Sequence, residues 1–269
     1  IVEHGLAPGD HVVVDPVISC GTCYPCRIGR PNVCANLAVL GVHRDGGFAS
    51  TATVPTANAV RVDPALPFGI AALAEPFSIA ANILGRTGCT ADDHVLLYGA
   101  GTVGLTVLQV ARLHGAAVRV ADPDTARLAR ARAFGAEGTA VSGVDDVAAM
   151  AGEMNGGLGP TLVIDCAGAP HLMREACALA GPAGRVGLMG FSPEPCEVVQ
   201  QHINAKELTV YGSRLNRRLI PSVVDWLQSG ALQPREMITH TFAAADARAA
   251  FHLFETAPQE TIKVQLDFT

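Results

Sequence analysis

A glycine-rich turn between two apolar runs places the strongest constraint on this chain. Residues 95–98 form a short apolar run, which is typical of a strand buried on both faces. Residues 99–104 read G-x-G-x-x-G, and apolar residues recur over 105–113 at the three- and four-residue steps of a buried helix. A second apolar run at 118–121 ends at Asp122. The order predicts a strand, a tight turn, a helix and a second strand.

Each glycine of this turn has its own physical role in holding a dinucleotide. Gly99 permits the turn, Gly101 lets the backbone approach a pyrophosphate, and Gly104 lets the helix lie close to the sheet. The N–H groups at the helix N-terminus attract the phosphates. Asp122 lies 21 positions after Gly101, near the spacing of the acid that binds a ribose 2′-hydroxyl. A carboxylate repels a 2′-phosphate, so we expect NAD and not NADP.

Two other interpretations of this segment are weaker. A glycine-rich turn occurs in many α/β proteins, but here strand, turn, helix, strand and acid follow in order. Residues 95–111 carry no charge over 17 positions, which approaches the length of a membrane span. Three glycines in the six positions 99–104 favour a turn in water over a helix in lipid, so no membrane partner is expected.

Composition and charge exclude several classes of protein. Of the 269 residues, 49% are hydrophobic and 16% charged, which is enough to bury a core. The net charge is −6 and no basic stripe with aromatic residues is present, so nucleic acid is not an expected partner. Eight cysteines in a chain of this length, without a visible secretory signal, favour a reducing, cytoplasmic setting.

The pattern of strands predicts two kinds of domain. Residues 1–70 alternate short β-like runs with turns, with candidate strands at 11–14, 38–42 and 48–54, as in a β-barrel. Strands and helices then alternate, which predicts a doubly wound parallel sheet and an α/β fold. Its six candidate strands are 95–98, 118–121, 138–141, 161–165, 185–189 and 208–211. Residues 165–168 and 188–190 fall at strand ends, where such sheets bind ligands.

Four cysteines form a second motif. Cys20, Cys23, Cys26 and Cys34 have the spacing C-x₂-C-x₂-C-x₇-C on a loop rich in glycine and proline. Four thiolates close a tetrahedral shell, which Zn²⁺ favours, and leave no open position for a substrate. An iron–sulfur cluster or reduced free thiols are the alternatives. The ferredoxin spacing with a final Cys-Pro is absent, so we predict a structural zinc ion.

Glu75 is a single carboxylate within the long apolar run 71–82. Such a group is costly to bury without a partner cation or a metal ion. The alternative is an acid at the start of a helix, just before Pro76.

Together these motifs resemble the medium-chain zinc-dependent alcohol and polyol dehydrogenases, and the resemblance covers the whole chain. The branch is similar to sorbitol, threonine and hexonate dehydrogenases, because Glu75-Pro76 stands where liver-type alcohol dehydrogenases carry a Cys ligand. A weaker similarity, at residues 39–43 and 189–192, is to the starvation-sensing and hexonate oxidoreductase group. The family motifs matched are 9–12, the four-cysteine lobe, 45–48, 75–78, 99–104, Asp122 and 262–264.

The resemblance implies a GroES-like catalytic domain at residues 1–80 and 216–269, and an NAD-binding Rossmann domain at 81–215. It implies structural zinc at the four cysteines and a catalytic zinc position at Glu75, bound directly or through water. The implied catalytic residues are Glu75 and Arg214. The implied cofactor-binding residues are Gly99, Gly101, Val103, Gly104, Asp122, Arg127, Leu188, Met189 and Gly190.

One departure from the family is large. The family's catalytic zinc also uses a Cys and a Gly-His-Glu segment before the Gly-Asp-x-Val turn, and only eight residues precede Gly9. We therefore expect an incomplete GroES-like domain, an N-terminally truncated chain, one bound zinc and little or no turnover. A smaller departure is Ser50, where the family usually has Glu.

The function implied is transfer of hydride from a secondary alcohol, a polyol or a sugar acid, to NAD. One alternative is a catalytically inactive NAD-binding or structural protein. Another is a zinc-free quinone reductase, against which the four cysteines and Asp122 argue. The resemblance also implies a homodimer or homotetramer, with residues 208–211 as the strand that pairs between subunits.

Overall fold

A computed structural model describes residues 5–232 and 234–268. The chain divides into two compact units, one of residues 1–79 with 214–269 and the other of residues 80–213. We refer to them as the terminal unit and the central unit. The glycine-rich turn belongs to the central unit, whereas the four cysteines, Glu75 and Arg214 belong to the terminal unit.

Short strands and short helices make up the first part of the terminal unit. They are β1 Val12–Val14, β2 Val17–Ile18, α1 Tyr24–Arg27, β3 Ala38–Val39, β4 Ala59–Arg61, α2 Phe68–Ala71 and α3 Ala74–Thr87. β1 pairs with β4 in antiparallel register, with Val13 opposite Val60, and β2 pairs with β3. The unit boundary falls within α3, after residue 79.

Two sequence predictions for this part are wrong in detail. No strand occupies residues 48–54 within the described chain, and β4 at Ala59–Arg61 pairs with β1 instead. The side chains of residues 48–53 are exposed, so this segment buries no face of the kind that stabilises a strand. The strand expected at 38–42 ends at Val39, because the N–H groups of Val42 and His43 donate to the Val39 carbonyl and form a turn.

The central unit is built on a six-stranded sheet. Its elements are β5 His94–Tyr98, α4 Thr102–Leu113, β6 Ala117–Asp122, α5 Thr125–Ala133, β7 Gly138–Val141, α6 Val147–Gly152, β8 Leu162–Asp165, α7 Pro170–Leu179, β9 Arg185–Leu188, α8 Gln200–Asn204 and β10 Thr209–Gly212. The strand order is β10-β9-β8-β5-β6-β7, and every neighbouring pair is parallel. The predicted doubly wound Rossmann sheet is therefore confirmed, with each strand within one residue of its expected bounds.

The strand order positions the candidate site. β5 lies between β6 and β8, so the chain reverses its direction of progress across the sheet at β5. Open α/β sheets bind ligands at this reversal, beyond the carboxyl ends of the strands. Leu96 and Leu97 of β5 and Val163 of β8 are fully buried, which fixes both strands in the core.

The last part of the chain returns to the terminal unit. It contains α9 Ile220–Gln228, β11 Ile238–Ala243, α10 Ala247–Thr256 and β12 Lys263–Asp267. β11 and β12 are parallel to each other. The alternating pattern expected at residues 262–266 therefore forms a strand displaced by one residue.

Among the described residues, the helical stretch Phe68–Thr87 is the one with the length and hydropathy to cross a membrane. Of its apolar window, 61% is buried inside the protein. Phe77, Ile83 and Leu84 on this stretch are fully buried, as in a core helix, so the stretch is weak evidence for a membrane span.

Candidate functional site

The glycine-rich turn follows β5 and begins α4. Gly99 has φ +95°, a left-handed conformation that favours glycine. A β-carbon on Gly104 would lie only 1.8 Å from the carbonyl oxygen of Gly99, so the helix approaches the strand end as closely as backbone permits. Gly101 is the N-terminal cap of α4 and makes no side-chain hydrogen bond there. The N-terminus of a helix favours the binding of an anion. Val103 lies in that first turn and is partly exposed.

Asp122 ends β6 beside this turn. Its side chain is 3% exposed. Oδ2 accepts the N–H of Ala100 (2.7 Å), and Oδ1 accepts the N–H of Asp124 (2.8 Å). The structure therefore brings the acid and the turn together, although Asp122 and Ala100 are 22 positions apart. A carboxylate held at this place supplies hydrogen-bond acceptors and negative charge to any ligand bound at the turn.

Arg127 lies in the first turn of α5, after Asp122. Its Nε is 3.9 Å from Oδ2 of Asp124, the residue that caps α5 by accepting the N–H groups of Ala126 and Arg127. The family resemblance implies that Arg127 binds the cofactor, and in the structure Arg127 pairs with Asp124. This half-exposed pair is weak and can exchange for a ligand.

Leu188, Met189 and Gly190 follow along β9 and its carboxyl end. The N–H groups of Met189 (2.9 Å) and Gly190 (3.3 Å) donate to the backbone oxygen of Asp165. Sγ of Cys166 lies 3.6 Å from Sδ of Met189. Residues after β5, β6, β8 and β9 therefore meet at one edge of the sheet. Sequence reasoning gave no individual role to Asp165, although an acid ending a buried apolar strand was a visible signal.

The four cysteines of the terminal unit converge. Their sulfur atoms all lie within 4.8 Å of one another. Cys23 Sγ is 3.4 Å from Cys26 Sγ and 3.7 Å from Cys34 Sγ, and Cys34 Sγ is 3.4 Å from Cys20 Sγ. A tetrahedral zinc ion with bonds of about 2.3 Å needs sulfurs roughly 3.8 Å apart. The geometry fits a zinc ion closely.

Backbone N–H groups surround these sulfurs. Cys20 N and Asn36 N donate to Cys34 Sγ (both 3.3 Å), and Ala35 N donates to Cys23 Sγ (3.5 Å). Such donors stabilise thiolates. Hydrogen bonds from the backbone and hydroxyl of Thr22 lower the pKa of the Cys20 thiol to about 5. Burial, and then the neighbouring Cys23, raise the pKa of the Cys26 thiol to about 11.

Glu75 lies in the first turn of α3, as the alternative interpretation expected, and lines a groove of about 1030 Å³ in the terminal unit. Burial raises the pKa of its carboxyl group, Asp15 adds to the rise, and Lys263 opposes it. Among the described residues, groups of three or more metal-ligating side chains occur only at the four cysteines. Glu75 is therefore not accompanied by two further ligands within the described chain.

Arg214 is exposed at the start of the second segment of the terminal unit. Its backbone oxygen accepts the side-chain N–H of Asn32 (2.6 Å), a buried residue within the cysteine lobe. The structure therefore links Arg214 to the four-cysteine loop. Sequence reasoning did not single out Asn32.

The chain matches models of two known domain families. A family model described as "Zinc-binding dehydrogenase" matches residues 102–229, and one described as "Alcohol dehydrogenase GroES-like domain" matches residues 2–64. The two models cover well over half of the chain. The chain belongs to the zinc-type alcohol dehydrogenase family.

Individual relatives support this assignment. Starvation-sensing protein RspB of Escherichia coli K12 is 46% identical over 97% of this chain and 77% of its own length. A solved structure of rspB from E. coli CFT073, described as a short chain alcohol dehydrogenase complexed with cofactor NADH, superposes with a TM-score of 0.93 at 46% identity, covering 97% of this chain and 77% of that one.

Two further relatives bear on substrate and cofactor. L-galactonate-5-dehydrogenase of E. coli K12 is 31% identical over 98% of this chain and 77% of its own length. A zinc-binding dehydrogenase of Sinorhizobium meliloti, solved bound to NADP, superposes with a TM-score of 0.86 at 32% identity, covering 91% of this chain and 73% of that one. The family, the α/β fold with a GroES-like domain, the oxidoreductase class, and zinc and nicotinamide dinucleotide as family cofactors are thus confirmed.

Proposed function

We propose that this chain binds NAD at the carboxyl edge of the central sheet and belongs to an enzyme that oxidises a secondary alcohol. The observation that carries the proposal is the buried carboxylate of Asp122 held against the glycine-rich turn by the N–H of Ala100. This arrangement offers helix N–H groups to a pyrophosphate and a carboxylate to a ribose hydroxyl. In our proposal Arg127 leaves its ion pair with Asp124 and contacts the adenosine ribose, and residues 188–190 contact the nicotinamide.

The proposed preference is for NAD over NADP. A 2′-phosphate next to Asp122 places like charges together, which costs several kcal/mol. One relative described above holds NADH and another holds NADP, so the family alone does not decide the preference. Asp122 in this chain supports NAD.

We propose that Cys20, Cys23, Cys26 and Cys34 hold one zinc ion. The sulfur spacing fits that ion, and four sulfur ligands leave no open coordination position. Such an ion crosslinks the loop from Cys20 to Cys34 and stabilises its fold. It takes no part in hydride transfer.

The proposed catalytic metal position is Glu75. A zinc ion bound to a substrate hydroxyl acts as a Lewis acid and lowers the pKa of that hydroxyl. The described residues supply Glu75 without two companion ligands, so they do not by themselves complete such a site. We therefore propose that this chain alone binds one zinc ion and turns over slowly or not at all. Arg214 stays a proposed catalytic residue on the strength of the family resemblance.

The proposed substrates are polyols and sugar acids with a secondary hydroxyl, as the name of the galactonate relative suggests. Edge strand β10 supports a proposed homodimer, since Val210 on this strand is 36% exposed. None of the eight cysteines, all of which lie in the described part of the chain, forms a disulfide, and this is compatible with the proposed cytoplasmic location. A NAD-binding role without turnover is the second candidate, and the solitary Glu75 favours it.

Elemental analysis of the purified chain tests the metal part of the proposal. One zinc per chain, displaced only when the cysteines are alkylated, supports it. No zinc together with four reactive thiols removes the structural site. About two zinc ions, or zinc-dependent NADH formation with a panel of polyols and sugar acids, shows that Glu75 has other ligands and overturns the incomplete site.

A further inference from the structure

Asp165 makes two sets of hydrogen bonds at the carboxyl end of β8. Its side chain is 4% exposed, and Oδ1 accepts the N–H groups of Ala167 (2.9 Å) and Gly168 (2.8 Å). Its backbone oxygen accepts the N–H groups of Met189 (2.9 Å) and Gly190 (3.3 Å). One residue therefore fixes both its own turn, residues 166–168, and the loop that follows β9.

The turn at 166–168 is packed against the glycine-rich turn on one side. A β-carbon on Gly99 would lie 3.3 Å from Ala167 N and 3.4 Å from Ala167 Cβ. The N–H of Cys166 donates to the carbonyl oxygen of Tyr98 (2.9 Å), the last residue of β5. A shift of this turn therefore displaces the start of the glycine-rich turn.

On its other side the same turn touches the loop after β9. A β-carbon on Gly190 would lie 2.1 Å from Gly168 Cα, so the two backbones meet with no side chain between them. Gly168 has φ +77°, which the two N–H groups bound by Asp165 help to maintain. The position of Gly190 thus depends on the turn that Asp165 holds.

We propose that Asp165 is a positioning residue for the dinucleotide, which sets the spacing between the glycine-rich turn and the Met189–Gly190 loop. This inference rests on the proposed binding of NAD at this edge of the sheet. The two loops hold the pyrophosphate and the nicotinamide in that proposal, so their spacing sets how well both ends of the cofactor fit at once. Asp165 itself does not contact the cofactor.

A carboxylate suits this role because a single ionised oxygen accepts two N–H groups strongly. Removing it leaves the N–H groups of two part-buried hydrogen bonds without their partner, and the turn relaxes toward solvent. Asparagine keeps a carbonyl oxygen at the same distance along the side chain, so Asp165→Asn preserves both hydrogen bonds in weaker form. Alanine keeps neither.

The test compares Asp165→Ala and Asp165→Asn with a matched control, Asp93→Ala. Asp93 is 3% exposed, accepts Thr90 N (2.9 Å) and Thr161 Oγ1 (2.5 Å), and forms an ion pair with Arg185 at the amino end of β9. Its partners therefore lie at the opposite, amino edge of the sheet. Titration calorimetry with NADH on the full chain is the readout. We expect Asp165→Ala to weaken NADH binding by about tenfold, Asp165→Asn to restore most of it, and Asp93→Ala to lower the melting temperature without changing the affinity.

Hydrogen exchange supplies a readout that does not depend on NADH. In Asp165→Ala the amides of Ala167, Gly168, Met189 and Gly190 lose protection together, and in Asp93→Ala they do not. The β-carbon of Gly190→Ala would lie 2.1 Å from Gly168 Cα and 3.4 Å from Asp165 Oδ2, so this variant forces the two loops apart while Asp165 is retained, and we expect it to reproduce the loss of affinity.

The outcomes separate this inference from the proposed function. If the unmodified chain binds no NADH, the proposed function fails, and exchange still decides whether Asp165 couples the two loops. If Asp165→Ala and Asp93→Ala weaken NADH binding equally, or if only amides 167 and 168 lose protection, the positioning role is refuted.

Discussion

Substitution of Gly104 by alanine tests the closest contact in the proposed cofactor site. The new β-carbon would lie 1.8 Å from the Gly99 oxygen and 2.8 Å from the Gly99 carbonyl carbon. Both neighbours are backbone atoms at the end of a buried strand, so neither can rotate away. The N-terminus of α4 must therefore retreat from β5.

The size of the retreat follows from the contact. A real β-carbon keeps at least 3.0 Å from such atoms, so α4 moves by about 1.2 Å. Overpacking of this kind costs about 1–3 kcal/mol, and the better helix propensity of alanine returns at most about 1 kcal/mol. The N–H groups of the first turn move away from the pyrophosphate by the same distance, which we expect to weaken NADH binding by about tenfold or more.

Two alanine variants serve as controls. Gly101→Ala meets nothing within 4 Å at φ −75°, so the fold keeps its stability while the new methyl group faces the pyrophosphate. Gly85→Ala in α3 also meets nothing within 4 Å and should stabilise the helix by about 0.5–1 kcal/mol with NADH affinity unchanged.

The assay is urea unfolding followed by circular dichroism, together with calorimetric titration of NADH. Gly104→Ala should lose both stability and affinity, whereas Gly101→Ala should lose affinity alone. A Gly104→Ala protein with unchanged stability and unchanged NADH affinity would refute the close approach of helix and strand.

Three further predictions concern stability and metal binding. Because burial raises the pKa of Glu75, its charged form destabilises the fold above that pKa, and this cost disappears at low pH. Glu75→Gln should therefore raise the melting temperature at about pH 8 but not near about pH 4. An equal gain at both pH values would contradict this. Zinc must displace the proton of the Cys26 thiol, whose pKa is raised to about 11. The zinc affinity, measured by competition with a chromophoric chelator, should therefore rise between about pH 6 and 8 by about tenfold per pH unit for each proton released. A zinc affinity that does not change with pH would contradict this. Lys206 Nζ donates to the backbone oxygens of Cys177 (3.2 Å), Ala178 (2.6 Å) and Ala180 (2.8 Å) at the end of α7. Lys206→Met should therefore lower the free energy of unfolding, measured by urea titration, by about 1–2 kcal/mol. A loss below about 0.3 kcal/mol would show that the desolvation of the ammonium group cancels these bonds.

The parts of the fold that sequence predicted well are those with a strong local signal. Short apolar runs flanked by glycines and charged residues predicted the six strands of the central sheet to within one residue. The glycine-rich turn was predictable because its left-handed conformation favours glycine at position 99 and the close approach of α4 to β5 requires glycine at position 104. The convergence of the four cysteines was predictable because their close spacing on a short loop keeps their sulfur atoms near one another.

The parts that sequence did not predict depend on contacts between distant residues. Residues 48–54 have β-forming composition, but β1 pairs with Ala59–Arg61 and the segment remains exposed. Asp165 ended a predicted strand, yet its bonds to two separate loops arise only when β8 and β9 lie side by side. Likewise, the contact between Gly168 and Gly190 follows from the sheet order and leaves no mark on either segment alone.

Parallel calorimetric titrations of the chain with NADH and NADPH test the proposed dinucleotide site. We expect one NADH site per chain and binding of NADPH weaker by about a hundredfold or more, because the buried carboxylate of Asp122 repels a 2′-phosphate. Absence of binding by either dinucleotide, or NADPH binding as tight as that of NADH, would contradict it.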